Sequence, residues 1–165
     1  MQIQDPHKYF LLDQFNTNPA ICFVIDKLSS SQKAFSLIKQ INKYLEHYST
    51  IELSIYSIYN EMPVVLSHTG IYNAGELNDF NGHAIATDLH TLYYVLDSDR
   101  PNKYLYLYDI HSINHLNDKQ IKFLKDSNIK IFTRNNDYRQ LLIQKSFEVS
   151  PILVPELEIE TILKI

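Results

Sequence analysis

Asp26-Lys27-Leu28-Ser29-Ser30-Ser31 follows an apolar run, Ile21 to Ile25, and leads into a helical pattern. An acid, a base and three hydroxyls at such a place can hold a hydroxyl-rich or anionic ligand at the start of a helix. The same serines can instead cap the helix and do nothing more. The loop carries no glycine, so backbone cannot approach a pyrophosphate as in a dinucleotide fingerprint, and no P-loop pattern is present. NAD or ATP held in the usual way is not expected here, and no cofactor is expected elsewhere.

Further polar residues follow other apolar runs. Thr87, Asp88 and His90 come after "HAIA", Asp109 and His111 after "YLYLY", and Thr133, Arg134 and Asn135 after "IKIF". Asp97-Ser98-Asp99 is a D-x-D triplet, whose carboxylates suit Mg²⁺ or Mn²⁺ on a diphosphate. It runs into Arg100-Pro101-Asn102, which has turn chemistry, so a solvated turn away from the strand ends is expected. Asp109-x-His111-x-x-x-His115 has metal-ligating residue types across a loop, yet no metal site is expected. Ser/His/Asp and Cys/His catalytic sets cannot be assembled from spacing alone, so the catalytic residues stay unknown.

Those residues need elements to position them. Apolar and β-branched runs predict strands near 21–26, 51–58, 83–87, 104–108, 129–133 and 149–154. Helical periods lie at 33–45, 89–96, 118–126, 137–146 and 156–165, although Tyr93-Tyr94-Val95 would also suit a strand. Residues 62–81 read as loops with a helical turn, and "PVVLSHTG" can hold one more strand. Alternating strands and helices predict an α/β protein, a three-layer α/β/α sandwich around a mainly parallel, Rossmann-like sheet. Right-handed crossovers are the default for such a sheet.

A site in an open parallel sheet lies beyond the carboxyl ends of the strands, at the topological switch. The loops after the first strand and after "HAIA" should face each other there. Lys27, Ser29, Ser30, Ser31 and Asp88 then line one cleft, with Asp109 and Arg134 along its rim. Donors from Lys27 and Arg134 and acceptors from Asp88 and Asp109 suit a ligand with many hydroxyls. The plainer outcome is Lys27 paired with Asp88 across an empty crevice.

Composition bounds the rest. The chain has 165 residues, enough for one domain over 1–165 with an irregular arm, 1–19, punctuated by Pro6 and Pro19. A hydrophobic fraction of 45% can build a core, and a formal charge of −4 argues against a nucleic-acid partner. Cys22 is the single cysteine and sits in the first apolar run, so a buried thiol is expected. Met1 to Asp13 does not read as a signal peptide, and no apolar run approaches the roughly 20 residues of a membrane span. These features predict a soluble, cytoplasmic protein.

From residue 20 to 160 the order of segments resembles the N-terminal Rossmann-like domain of GT-B-type glycosyltransferases. "HAIATDLHTLYYVL" corresponds to a strand ending where a helix begins. "NKYLYLYDIHS" corresponds to a strand that ends on an aspartate. "IKIFTRNNDYRQLLIQ" matches a strand, polar loop and helix, and "VSPILVPEL" a closing strand that ends in proline. The likeness lies in order and texture rather than in one motif. It implies an acceptor-side half, with a sugar or sugar nucleotide as ligand and a separate nucleotide-binding chain as partner. It departs in the first loop, where Lys27-Leu28-Ser29-Ser30-Ser31 replaces the glycine-rich turn of many members. It also ends at Ile165, where the nucleotide-binding half of those enzymes begins, so activity by this chain alone is not expected. The other readings are a non-catalytic α/β binding module and a sugar-nucleotide enzyme built on Asp97 and Asp99.

Overall fold

Strands form where apolar, β-branched and aromatic residues crowd. In the computed structural model, which describes residues 20–29, 31–99 and 101–164, these are β1 (Ala20–Ile25), β2 (Glu52–Ser57), β3 (Gly70–Asn73), β4 (His83–Ala86), β5 (Asn102–Leu107), β6 (Lys130–Thr133) and β7 (Val149–Leu153). All pair in parallel in the order β3-β2-β1-β4-β5-β6-β7. The expected arm, 1–19, lies outside the described residues, as do Ser30, Arg100 and Ile165.

Helices cover both faces, which makes a three-layer α/β/α, Rossmann-like architecture. On one face, α1 (Gln32–Leu45) lays Leu37, Ile38, Ile41 and Tyr44 against Phe23, Ile25 and Ile55. The chain after β7 joins the same core through Val154, Leu157, Ile159 and Ile162. The other face is covered by α2 (Leu89–Asp97), α4 (Asp118–Asp126) and α5 (Asn136–Gln144), with the four-residue α3 (His111–Asn114) between strand and helix. Cys22 and Val24 point into this second core. Every residue of β1 is buried, which is why its sequence is apolar without alternation. Burial also drives the Cys22 thiol far above its ordinary range, so it packs as a small hydrophobe.

Two regions differ from expectation. The additional strand is Gly70–Asn73, not the preceding residues, and a 3-10 helix, Ala74–Asp79, follows it. All four β3 residues are exposed at the sheet edge, so no buried face imposes a pattern on them. The expected closing helix over 156–165 is a 3-10 turn at Pro155–Leu157 and a short α6 (Ile159–Ile162). Glu156 and Leu157 have φ of 49° and 60°, in the left-handed region, and a continuous helix cannot pass through them. The ambiguous Tyr93-Tyr94-Val95 lies in α2, whose start Asp88 caps.

One glycine serves close approach. A Cβ at Gly82 would stand 2.3 Å from the Ala20 carbonyl oxygen, so only glycine lets the chain enter β4 beside β1. Among the described residues, no helix is long and apolar enough to cross a membrane.

Candidate functional site

The sheet order reverses between β1 and β4, which pair from Ile21↔His83 to Val24↔Ala86. Beyond their carboxyl ends the two following loops splay apart and leave a crevice. Thr87 ties its base together, donating from Oγ1 to the Val24 carbonyl at 2.8 Å. Asp88 then starts α2: Oδ1 accepts from the Thr91 N–H at 2.8 Å, and the Thr91 hydroxyl accepts from the Asp88 N–H at 3.1 Å. On the facing side, Ser31 starts α1 and accepts from the Ala34 N–H at 3.3 Å. Both helices therefore begin on the crevice with capped first turns.

Lys33, in the first turn of α1, reaches between the two loops. Its ammonium donates to Asp88 Oδ2 and stands 3.2 Å from Asp26 Oδ1. The lysine side chain is 13% exposed, against 30% and 25% for Asp26 and Asp88. Burial pushes the Asp26 carboxyl upward, but the Lys33 ammonium and backbone N–H groups outweigh it and hold the carboxyl below its ordinary value. Asp26 is therefore ionised at neutral pH. Lys33, and not Lys27, is the lysine that meets Asp88. Lys27, expected in the cleft, is exposed and is not among the residues that line it, because it precedes the helix whose first turn carries Lys33 between the loops. A signal for Lys33 was present in the sequence: a lysine in the first turn of a helix opposes the macrodipole, so it wants acidic partners.

The crevice is an open cleft of about 360 Å³. Ser31, Gln32 and Lys33 form one wall, Thr87 and Asp88 the second, and Tyr108, Asp109 and His111 the far end. Asp109 is exposed and folds back on itself, its Oδ1 accepting from the His111 N–H at 3.0 Å. Three carboxylates thus face one ammonium, and the cleft is acceptor-rich and electronegative. A larger hollow, of about 470 Å³, lies between the amino-terminal ends of β6 and β7 with Lys130 and Glu148 as its charged residues. It sits at the wrong end of the strands for an α/β site, and the cleft at the switch is the better candidate.

Of the remaining candidates, Ser29 donates to Glu61, which draws it toward the loop after β2. Ser30 lies outside the described residues. Thr133 and Asn135 are used in starting α5, Asn135 accepting from the Tyr138 N–H at 2.9 Å. Arg134 donates to Glu156 and lies over the Tyr108 ring, its guanidinium carbon 4.6 Å from the centroid. Arg134 is thus joined to the cleft through Tyr108 and not directly. Asp97 and Asp99 are exposed at the carboxyl end of α2, opposite the cleft. Among the described residues, no three His, Cys, Asp or Glu side chains gather as a group that holds a metal.

Fold and cleft together define a Rossmann-like α/β protein with a polar crevice at its topological switch. Compared with protein-family models, curated proteins and solved structures, the chain matches none.

Proposed function

We propose that the cleft binds an uncharged, hydroxylated ligand, a saccharide, and that the chain is a glycosyltransferase-like, acceptor-side half. The observation that supports this reading most is the excess of carboxylates over ammonium at the switch point. Carboxylates accept strong hydrogen bonds from sugar hydroxyls and repel phosphates, so a neutral polyol fits better than a nucleotide. A separate nucleotide-binding chain would then supply the donor sugar and the groups that stabilise the leaving diphosphate. A cytoplasmic setting goes with this reading, since Cys22 is a thiol and no disulfide is needed.

One observation favours a second reading, a binding module without chemistry. The Asp26 carboxyl is held below its ordinary value, which makes it a hydrogen-bond acceptor and a poor proton carrier at pH 7.

Ligand-observed NMR with a panel of saccharides and sugar nucleotides tests the reading. Native protein is compared with Asp88→Asn, which keeps a helix-capping oxygen and loses the charge. Saccharide signals should broaden with the native chain and sharpen again with the variant, whose apparent affinity should be at least tenfold lower. Absence of saccharide binding, or binding indifferent to Asp88, removes the cleft from consideration.

A further inference from the structure

Beside the cleft lies a second polar cluster of opposite character. Ser36 of α1, Tyr108 at the end of β5 and Arg134 at the end of β6 all turn their donors to one carboxylate, that of Glu156. Ser36 Oγ donates to Oε2 at 3.1 Å, Tyr108 Oη donates to the same oxygen at 3.3 Å, and Arg134 Nη2 donates to Oε1. Ser36 and Tyr108 are buried, 6% and 8% exposed, whereas the Glu156 side chain is 42% exposed and open to exchange with solvent ligands. The receptor is therefore more deeply built than the group it holds. Arg134 is fixed in place by the Tyr108 face beneath it.

Glu156 reaches this position at a cost in backbone conformation. Its φ of 49° and ψ of 34°, and the φ of 60° at Leu157, put two consecutive non-glycine residues in the left-handed region. The same turn seats Leu157 in the core, and Tyr106 ties the segment down by donating to the Val154 carbonyl at 2.8 Å, so the Glu156 carboxylate is not the only group that holds it. The cluster adjoins the cleft, since Tyr108 lines both and Ser36 lies one helical turn beyond Lys33.

We propose that Ser36, Tyr108 and Arg134 form an oxyanion-binding subsite, and that Glu156 occupies it as an internal competitor which a carboxylate- or phosphate-bearing ligand displaces. Two hydroxyl donors and a planar guanidinium converging on one anion are the chemistry that recognises such groups. This assignment stands apart from the saccharide reading, because it uses none of Asp26, Lys33 or Asp88.

Isothermal calorimetry at constant ionic strength tests it, with inorganic phosphate and acetate as the two probes. Glu156→Gln removes the competing charge, and Glu156→Gly removes both the charge and the left-handed strain at residue 156, so the latter keeps a folded protein if the former does not. Each is expected to bind at least one probe at least tenfold more tightly than the native chain, with phosphate and acetate distinguishing the class of anion. Adding Arg134→Gln to Glu156→Gly should abolish that gain. Failure of Glu156→Gly to bind either probe more tightly than native, or a gain that survives Arg134→Gln, overturns the proposal.

Discussion

Two ionic clusters share one rim of this sheet and are built in opposite ways. In the first, one lysine is shared by Asp26 and Asp88, and the acids outnumber the base. Its backbone is relaxed, because Asp88 is also the cap of α2 and Ser31 that of α1. In the second, one arginine and two hydroxyls surround one carboxylate, whose backbone is strained. The first joins the two halves of the sheet at the switch and presents surplus acceptors. The second presents surplus donors, already filled by the protein's own chain. Charge excess therefore marks the first cluster and backbone strain the second.

The largest test of that contrast is removal of each base. Lys33→Met leaves two part-buried carboxylates facing one another and should cost about 3 kcal/mol in urea unfolding. Arg134→Met breaks a more exposed pair and should cost about 1 kcal/mol. In Lys33→Met the Asp26 carboxyl should also titrate higher, since burial then acts without the ammonium. Equal losses in the two variants would erase the distinction.

Acid separates the Asp26–Lys33–Asp88 cluster from His83 of β4. His83, at the start of β4, is buried, and burial holds its pKa down to about 4 from 6.5. The unfolded chain binds this proton first, so stability falls as pH drops from 6.5 toward 4, on the order of 3 kcal/mol in all. The contribution of Asp26 has its window lower: it is present above the ordinary carboxylate value of 3.8 and is lost as pH falls below that. His83→Leu should flatten the stability curve between pH 6.5 and 4 and leave the lower acid transition. A slope unchanged in that variant would mean another group governs it.

The smallest expected change is in Glu156→Gly. Relief of left-handed strain, worth about 1 kcal/mol, offsets loss of a half-exposed ion pair of similar size. The free energy of unfolding should stay within about 0.5 kcal/mol of native. A large loss would show Glu156 to be a strut and would set the second cluster alongside the first.

Much of this arrangement was legible in the residues. The uninterrupted apolar run of β1 announced a strand buried on both faces, and alternation with helices announced the parallel sheet. Asp88 and Ser31 stood where strand gives way to helix, so their place at the switch followed from topology, and Ser31 also had the chemistry of a cap. Such features depend on neighbours in the chain, and neighbours in the chain are what a sequence displays. β3 was hidden because it is short and exposed at the edge, with no buried side to leave a period. Adjacency to the strand points to Lys27, whereas Lys33 stands beyond the loop, inside the helix. Which lysine meets the carboxylates is decided by the phase of α1 once the helix is docked on the sheet. The meeting of Ser36, Tyr108 and Arg134 on Glu156 was likewise out of reach. It depends on a chain that crosses back over α1 after β7 and turns through two left-handed residues with no glycine to mark them. Local propensity and hydrophobic period determined the layers, and docking of distant elements decided which charges meet.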